Sequence, residues 1–162
     1  MKRIIIISAM LLAFVGASAQ NGKAIYQKYS DDEGVSAVYI SPAMFRLIGK
    51  IPDLKVEDSE VNLAPIIKSL SGMYIINSSD GRIGDALKKD VNNFVSTGKY
   101  ELIMETKDSG ETMRMYTVGT EDIVESLVMF SIEPDEATFI CIDGKMKRDD
   151  LEKAIASKVG EE

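Results

Sequence analysis

The sequence predicts an α+β fold, in which helices are layered mainly on one face of a mostly antiparallel sheet of about six strands. The strongest indication is residues 99–144, where four runs rich in Val, Ile, Thr, Tyr and Phe are joined in pairs by short turn sequences. Such short connections force antiparallel pairing, so this part is expected to form two β-hairpins. Two earlier strand-like runs alternate with helical patterns, which is typical of helices packed on a sheet.

Residues 1–19 have the three-part form of a secretory signal peptide. Lys2 and Arg3 precede an apolar run, and small residues end the segment at Ala19. The apolar run is shorter than the ~20 residues that span a bilayer. We therefore predict cleavage before Gln20 and an exported protein, periplasmic or extracellular, in which residues 20–162 form a single α+β domain.

Capping signals predict the next elements. Ile25 and Tyr29 are four residues apart and indicate a short helix, and residues 35–40 have the composition of a strand. Ser41 followed by Pro42 is a typical start for a second helix.

An acidic stretch divides the early elements from the rest of the chain. Residues 53–62 are expected to be a solvated linker, and Asn62 to cap a helix with apolar residues within 63–70. Gly72 should then release the chain into a strand over residues 73–77.

Two later helices have clear signatures. Leu87, Val91 and Val95 recur at helical spacing in a helix that follows Asp80 and that Gly98 ends. A closing helix is predicted over residues 148–159.

Alternation along the hairpin strands predicts which faces are apolar. In the first strand one face is expected to carry Tyr100, Leu102, Met104 and Thr106, and the opposite, solvated face Glu101, Ile103, Glu105 and Lys107. With turns expected at residues 108–110 and 133–135, the second hairpin is apolar on both faces. One face would carry Leu127, Met129, Phe139 and Cys141, and the other Val128, Phe130, Ile132, Ile140 and Ile142. We therefore expect the second hairpin at the centre of the sheet and residues 99–107 near an edge.

Four methionines cluster on the hairpins: Met104, Met113, Met115 and Met129. Core filling is the expected role, and an adaptable binding face for a peptide or lipid is the alternative. Met113 and Met115 are the expected exceptions to core filling, because Arg114 and Tyr116 could face inward instead.

The composition excludes several kinds of chemistry. The chain has no histidine, which excludes His-based triads and His-ligated metals. Cys141, the single cysteine, lies within a strand of apolar residues and is expected to be a buried thiol. The formal charge of −7 makes nucleic acid a poor partner. We predict no catalytic, cofactor-binding or metal-binding residue.

Paired carboxylates leave one enzymatic alternative open. Asp143 with Asp149 or Asp150, and Glu101 with Glu105, could in principle serve as acid and base in glycoside hydrolysis. Acids at alternate positions of a strand are more typical of its solvated face.

The pattern from the signal peptide to the closing helix resembles a family of small secreted proteins of Bacteroidetes-type bacteria, catalogued as domain of unknown function 4252. The residues that carry the resemblance are Phe94-Val95, residues 100–105, Asp108-Ser109-Gly110-Glu111, residues 125–129 and residues 142–146. The resemblance implies no activity and no site residue, and it suggests a periplasmic regulatory or stress role.

These observations predict a secreted or periplasmic, non-enzymatic domain that acts by contact with a protein partner in the cell envelope. A carboxylate-based hydrolase and a carrier of a small apolar ligand are the alternatives. Pairing of a partner strand with the edge over residues 99–107 is one role open to that edge, whereas the charges of the strand are more typical of edge protection.

Overall fold

The computed structural model describes residues 21–50 and 63–159, and the side chains within residues 21–50 and 63–153. The elements in chain order are α1 (Gly22–Tyr29), β1 (Val35–Ile40), α2 (Pro42–Ile48), α3 (Ala64–Ser69), β2 (Leu70–Ser78), α4 (Gly81–Thr97), β3 (Glu101–Asp108), β4 (Glu111–Gly119), β5 (Ile123–Glu133), β6 (Glu136–Lys147) and α5 (Arg148–Val159). The predicted segments 1–19 and 53–62 lie outside the described residues.

The six strands form one sheet in the order β1-β2-β6-β5-β4-β3, and every neighbouring pair is antiparallel. The α+β fold with two hairpins is therefore confirmed. The second hairpin, β5 and β6, lies at the centre of the sheet as predicted, and β3 is an edge strand as predicted.

The main core lies between one face of the sheet, called here the first face, and the helices α1 and α4. α4 contributes Leu87, Val91 and Phe94, and the sheet contributes Val128 and Phe139, all at most 1% exposed. The helical spacing that predicted α4 therefore also identifies its buried side.

A polar cap stabilises the start of α4, and an ion pair and a hydrogen bond join α4 to α1. Asp80 Oδ1 accepts a hydrogen bond of 2.8 Å from the backbone N–H of Arg82, at the start of α4. Asp90 of α4 accepts hydrogen bonds from Lys28 Nζ at 2.5 Å and from Tyr29 Oη at 2.6 Å, both of α1. Although partial burial acts to raise it, the pKa of Asp90 is lowered because these donors stabilise the carboxylate.

The region before β2 differs from the prediction. α3 begins after Leu63, which makes no capping side-chain hydrogen bond, and Asn62 lies outside the described residues. β2 begins at Leu70 and not at Met73, because Gly72 lies in a β-bulge within the strand and does not interrupt it.

Both hairpin turns are one residue shorter than predicted. The first contains Ser109 and Gly110, and the second contains Pro134 and Asp135. A change of one residue in a hairpin loop reverses which residues of the two strands share a face. The predicted faces of the second hairpin are therefore wrong.

The observed register of β5 and β6 sorts their side chains differently. Val128 lies opposite Cys141, and Phe130 lies opposite Phe139, so these four buried residues share the first face. Leu127, predicted to share a face with Phe139 and Cys141, lies opposite Ile142 and is half-buried on the other face.

Candidate functional site

The face of the sheet opposite α1 and α4, called here the second face, carries a continuous apolar row. Strand register places one residue from each strand side by side, so that the row crosses the whole sheet. This central row consists of Val38, Ile75, Ile140, Met129, Met115 and Met104, in the order of the strands. Exposed apolar residues are ordinarily scattered singly over a protein surface, whereas here they form one continuous strip across six strands.

Two further rows flank the central row. On one side lie Ile40, Met73, Ile142, Leu127, Thr117 and Glu101. On the other side lie Ser36, Asn77, Thr138, Ser131, Met113 and Thr106. Within these three rows, all in the described part of the chain, Glu101 is the one charged residue. The apolar side chains of the rows are half-buried or exposed, with Val38 at 44% and Met104 at 39%.

The expectation that Met104 and Met129 fill the core is wrong. Met104, Met115 and Met129 are direct neighbours in the central row, and Met113 belongs to the flanking polar row. The physical reason is register: Arg114 and Tyr116 oppose the buried Phe130 and Val128, so their neighbours Met113 and Met115 must point to the second face. This agrees with the exception expected for Met113 and Met115. Methionine side chains are flexible and polarizable, which suits them to partners of varied shape.

The edge strand β3 contains a β-bulge that its alternation pattern does not reveal. Leu102 opposes Tyr116 and Met104 opposes Met115, so Ile103 is the extra residue. The bulge places Leu102 and Met104 on opposite faces, and the single apolar face predicted for this strand is therefore wrong. All eight residues of β3 are exposed.

Charged contacts also mark this edge. Glu105 accepts hydrogen bonds from Lys107 Nζ at 2.7 Å and from Arg114 Nε at 2.6 Å. These two donors lower the pKa of Glu105. A bulge and paired charges are devices that discourage edge-to-edge pairing, so the structure favours protection of this edge over recruitment of a partner strand.

The structure separates one of the candidate carboxylate pairs. Because of the bulge, Glu101 lies on the second face and Glu105 on the first face, so these two acids cannot act together. Asp143 Oδ1 accepts a hydrogen bond of 3.3 Å from the Cys141 thiol, and Asp149 and Asp150 lie in the first turn of α5.

Cys141 is completely buried, as predicted. Its sulfur lies 3.5 Å from Ser126 Oγ, and a Cβ added at Gly22 of α1 would approach it to 2.3 Å, so the helix covers the thiol closely. Burial, and then the charge of Asp143, raise the pKa of the thiol. These features indicate a structural residue and not a nucleophile.

The described part of the molecule includes the following two surface cavities. One, of about 380 Å³, lies at the start of α4 and includes Asp80, Asp85, Glu133 and Glu136. The other, of about 420 Å³, includes Ser69, Glu125 and Lys145. Among the described residues no cluster of acids and cysteine has a geometry suited to a metal ion.

Comparison with known proteins places the chain in a family. The family described as domain of unknown function (DUF4252) matches residues 29–154, from the last residue of α1 into α5. The chain belongs to this family. In this DUF4252 domain the matched residues include all six strands and therefore the whole second face. No curated protein and no solved structure matches the chain. No helix within the described ranges of this DUF4252 domain is long and apolar enough to cross a membrane.

Proposed function

We propose that this protein is an exported, non-enzymatic domain that binds another protein through the second face of its sheet. The observation that carries the proposal is the central row, in which six apolar side chains from six strands lie side by side and remain partly exposed. Contact with a partner would remove this surface from water, at a gain of roughly 25 cal/mol per Å² of apolar area.

The distribution of charge supports a binding role for this face. The chain is 28% charged, yet the three rows of the second face contain one charged residue, Glu101, at a corner. Depletion of charge is what distinguishes the centre of a protein interface from the rest of a protein surface. The flanking polar row, with Asn77, Thr138 and Ser131, would form part of a hydrogen-bonding rim.

The chemistry of the chain supports a role without catalysis. The sequence has no histidine, and its one thiol is buried under α1. Glu105, the acid of one candidate pair, is engaged by Lys107 and Arg114 and lies on the face opposite Glu101.

Export to the cell envelope or beyond is the location that we propose, on the basis of the signal-peptide pattern of residues 1–19. A location in the envelope makes an envelope protein the expected partner. The resemblance-based suggestion of a regulatory or stress role is compatible with a domain that acts by contact.

A pull-down from envelope extract tests the binding face. Met115→Glu places a charge in the central row, whereas Asn92→Glu places the same charge on the exposed side of α4 and serves as the matched control. We expect a partner that is captured by the wild type and by Asn92→Glu but lost with Met115→Glu. Equal capture by all three folded proteins would contradict the proposed face.

A further inference from the structure

We propose that the protein that docks on the second face is a second copy of this chain, so that two sheets pack face to face. This inference rests on the proposed binding role of that face and specifies its partner. It follows from three properties of the face: its chemistry, its area and its shape.

The side chains of the second face allow contact with the same face of a second copy. A symmetric contact brings the same surface patch of two copies together, so any unpaired charge near its centre would meet a like charge. The central row contains no ionisable side chain, and the row beside it carries Ile40, Met73, Ile142 and Leu127. Glu101, the single charge of the three rows, lies at the β3 corner of the sheet. The acids next to the polar row on the same face, Asp108, Glu111, Glu133 and Glu136, are all exposed, so water can reach them at its margin. Two copies can therefore approach without burial of like charges.

The area of the face suits a dimer. Six strands spaced ~4.8 Å apart and three rows separated by two residues each give a footprint of about 600 Å². A standard interface buries roughly 800 Å² on each partner, of which about 65% is apolar in homodimers. Eleven of the eighteen residues in the three rows are apolar, a share close to about 65%, so the footprint and its apolar share both approach those of one side of a typical homodimer contact.

The shape and side chains of the face suit a sheet as the partner. Aligned sheets pack about 10 Å apart, with side chains of the two inner faces interdigitated. One half of the central row carries the branched side chains of Val38, Ile75 and Ile140. The other half carries three methionines, whose unbranched chains can fill the spaces between branched neighbours.

The overall charge makes a distinctive prediction. The full chain carries a formal charge of −7, and the proposed cleavage before Gln20 would remove the positive charges of Lys2 and Arg3, so two acidic copies repel each other at long range. Added salt screens this repulsion, and the dimer should become tighter as salt rises. A contact with a basic partner would show the opposite dependence.

Sedimentation velocity of the protein purified after expression of the full chain tests the proposal, over roughly 1–100 μM. We expect a concentration-dependent dimer that Asn92→Glu retains. Met115→Glu, and the milder Met115→Gln, should raise the dissociation constant about tenfold or more, because a polar group would enter the apolar central row. Circular dichroism melts establish that each variant is folded.

The other outcomes separate this inference from the proposed function. A wild type that stays monomeric over the whole range overturns the inference, as does a dimer that both Met115 variants leave intact. If the protein is monomeric but an envelope partner is lost with Met115→Glu, the binding face stands and the partner is a different protein. If the protein is monomeric and capture is insensitive to Met115→Glu, the inference and the proposed function both fail.

Discussion

Met115 of β4 lies directly opposite Met129 of β5, and both side chains are half-buried on the second face. Their strand neighbours Tyr116 and Val128 also oppose each other, on the first face, where Val128 is completely buried. Adjacent residues of the same two strands therefore serve different purposes: one pair stabilises the core and the other forms surface. Substitutions at one pair should therefore change stability, and substitutions at the other pair should change binding.

Val128 and Leu127 should differ sharply in their tolerance of charge. Val128→Asp would bury an unpaired carboxylate in the main core, and we expect it to lower the free energy of unfolding by about 3–5 kcal/mol. Leu127→Asp, on the half-buried second face, should cost about 1–2 kcal/mol. Urea denaturation followed by circular dichroism measures both. Equal losses would contradict the assignment of the two faces.

The pairing of Asp90 predicts a dependence of stability on pH. The pKa of this carboxyl is lowered from 3.8 in the folded protein, so its contribution is present above that value and is lost as the pH falls through the lower folded-state pKa. Asp90→Asn should therefore reduce stability near neutral pH and flatten the acid limb of the curve of unfolding free energy against pH. Asp85→Asn, at an exposed position of the same helix, is the control and should leave the limb unchanged.

The turn between β3 and β4 contains a residue whose replacement should stabilise the protein. Ser109 has φ +46° and Gly110 has φ +94°, a left-handed pair that favours Asn-Gly. Ser109→Asn is expected to raise the free energy of unfolding by up to about 1 kcal/mol, because Asn adopts this region more readily than Ser. Gly110→Ala should destabilise it, since alanine disfavours positive φ. Thermal melts of the two variants should shift in opposite directions, and shifts of the same sign would contradict the turn geometry.

Cys141 should not react with a thiol reagent in the folded protein. The side chain is 0% exposed and burial raises its pKa, so both access and thiolate formation are suppressed. Rapid labelling is expected only after denaturation. In a Cys141→Ser background, Asn92→Cys on the exposed side of α4, away from the second face, should react at once, which shows that the reagent is active. Fast labelling of native wild type would show that the thiol is accessible.

Processing before Gln20 is the prediction that tests the proposed location. The intact mass of secreted protein should correspond to residues 20–162. Ala19→Leu should block cleavage, because signal peptidase requires a small residue at that position. Recovery of wild-type protein that still carries Met1 would refute the signal-peptide interpretation.

The positions of most elements were predictable because they depend on local signals. Residues 35–40 form β1, Asp80 and Gly98 flank α4, and the closing helix covers Arg148–Val159, all as expected. Caps and helical spacing act within a few residues, so they can be read from sequence alone.

The residues that share a face of each hairpin were harder to predict. They depend on single residues in a turn or a bulge that lie some distance away along the chain. The two-residue turn at Pro134 and Asp135 and the bulge at Ile103 each change the residues that share a face. Neither leaves a strong local pattern, and an error of one residue in either exchanges core and surface. Met104 and Met129 of the central row were expected in the core for this reason.

The turn of Pro134 and Asp135 limits how this gene can change in length. If one codon were inserted there and β6 slid by one position to absorb it, Phe139 would move to the surface and Ile140 would take its place in the core. Two codons absorbed in the same way would keep each side chain on its present side. Insertions and deletions near this turn should therefore survive in relatives only where the loop itself takes up the extra residues or where they occur in pairs.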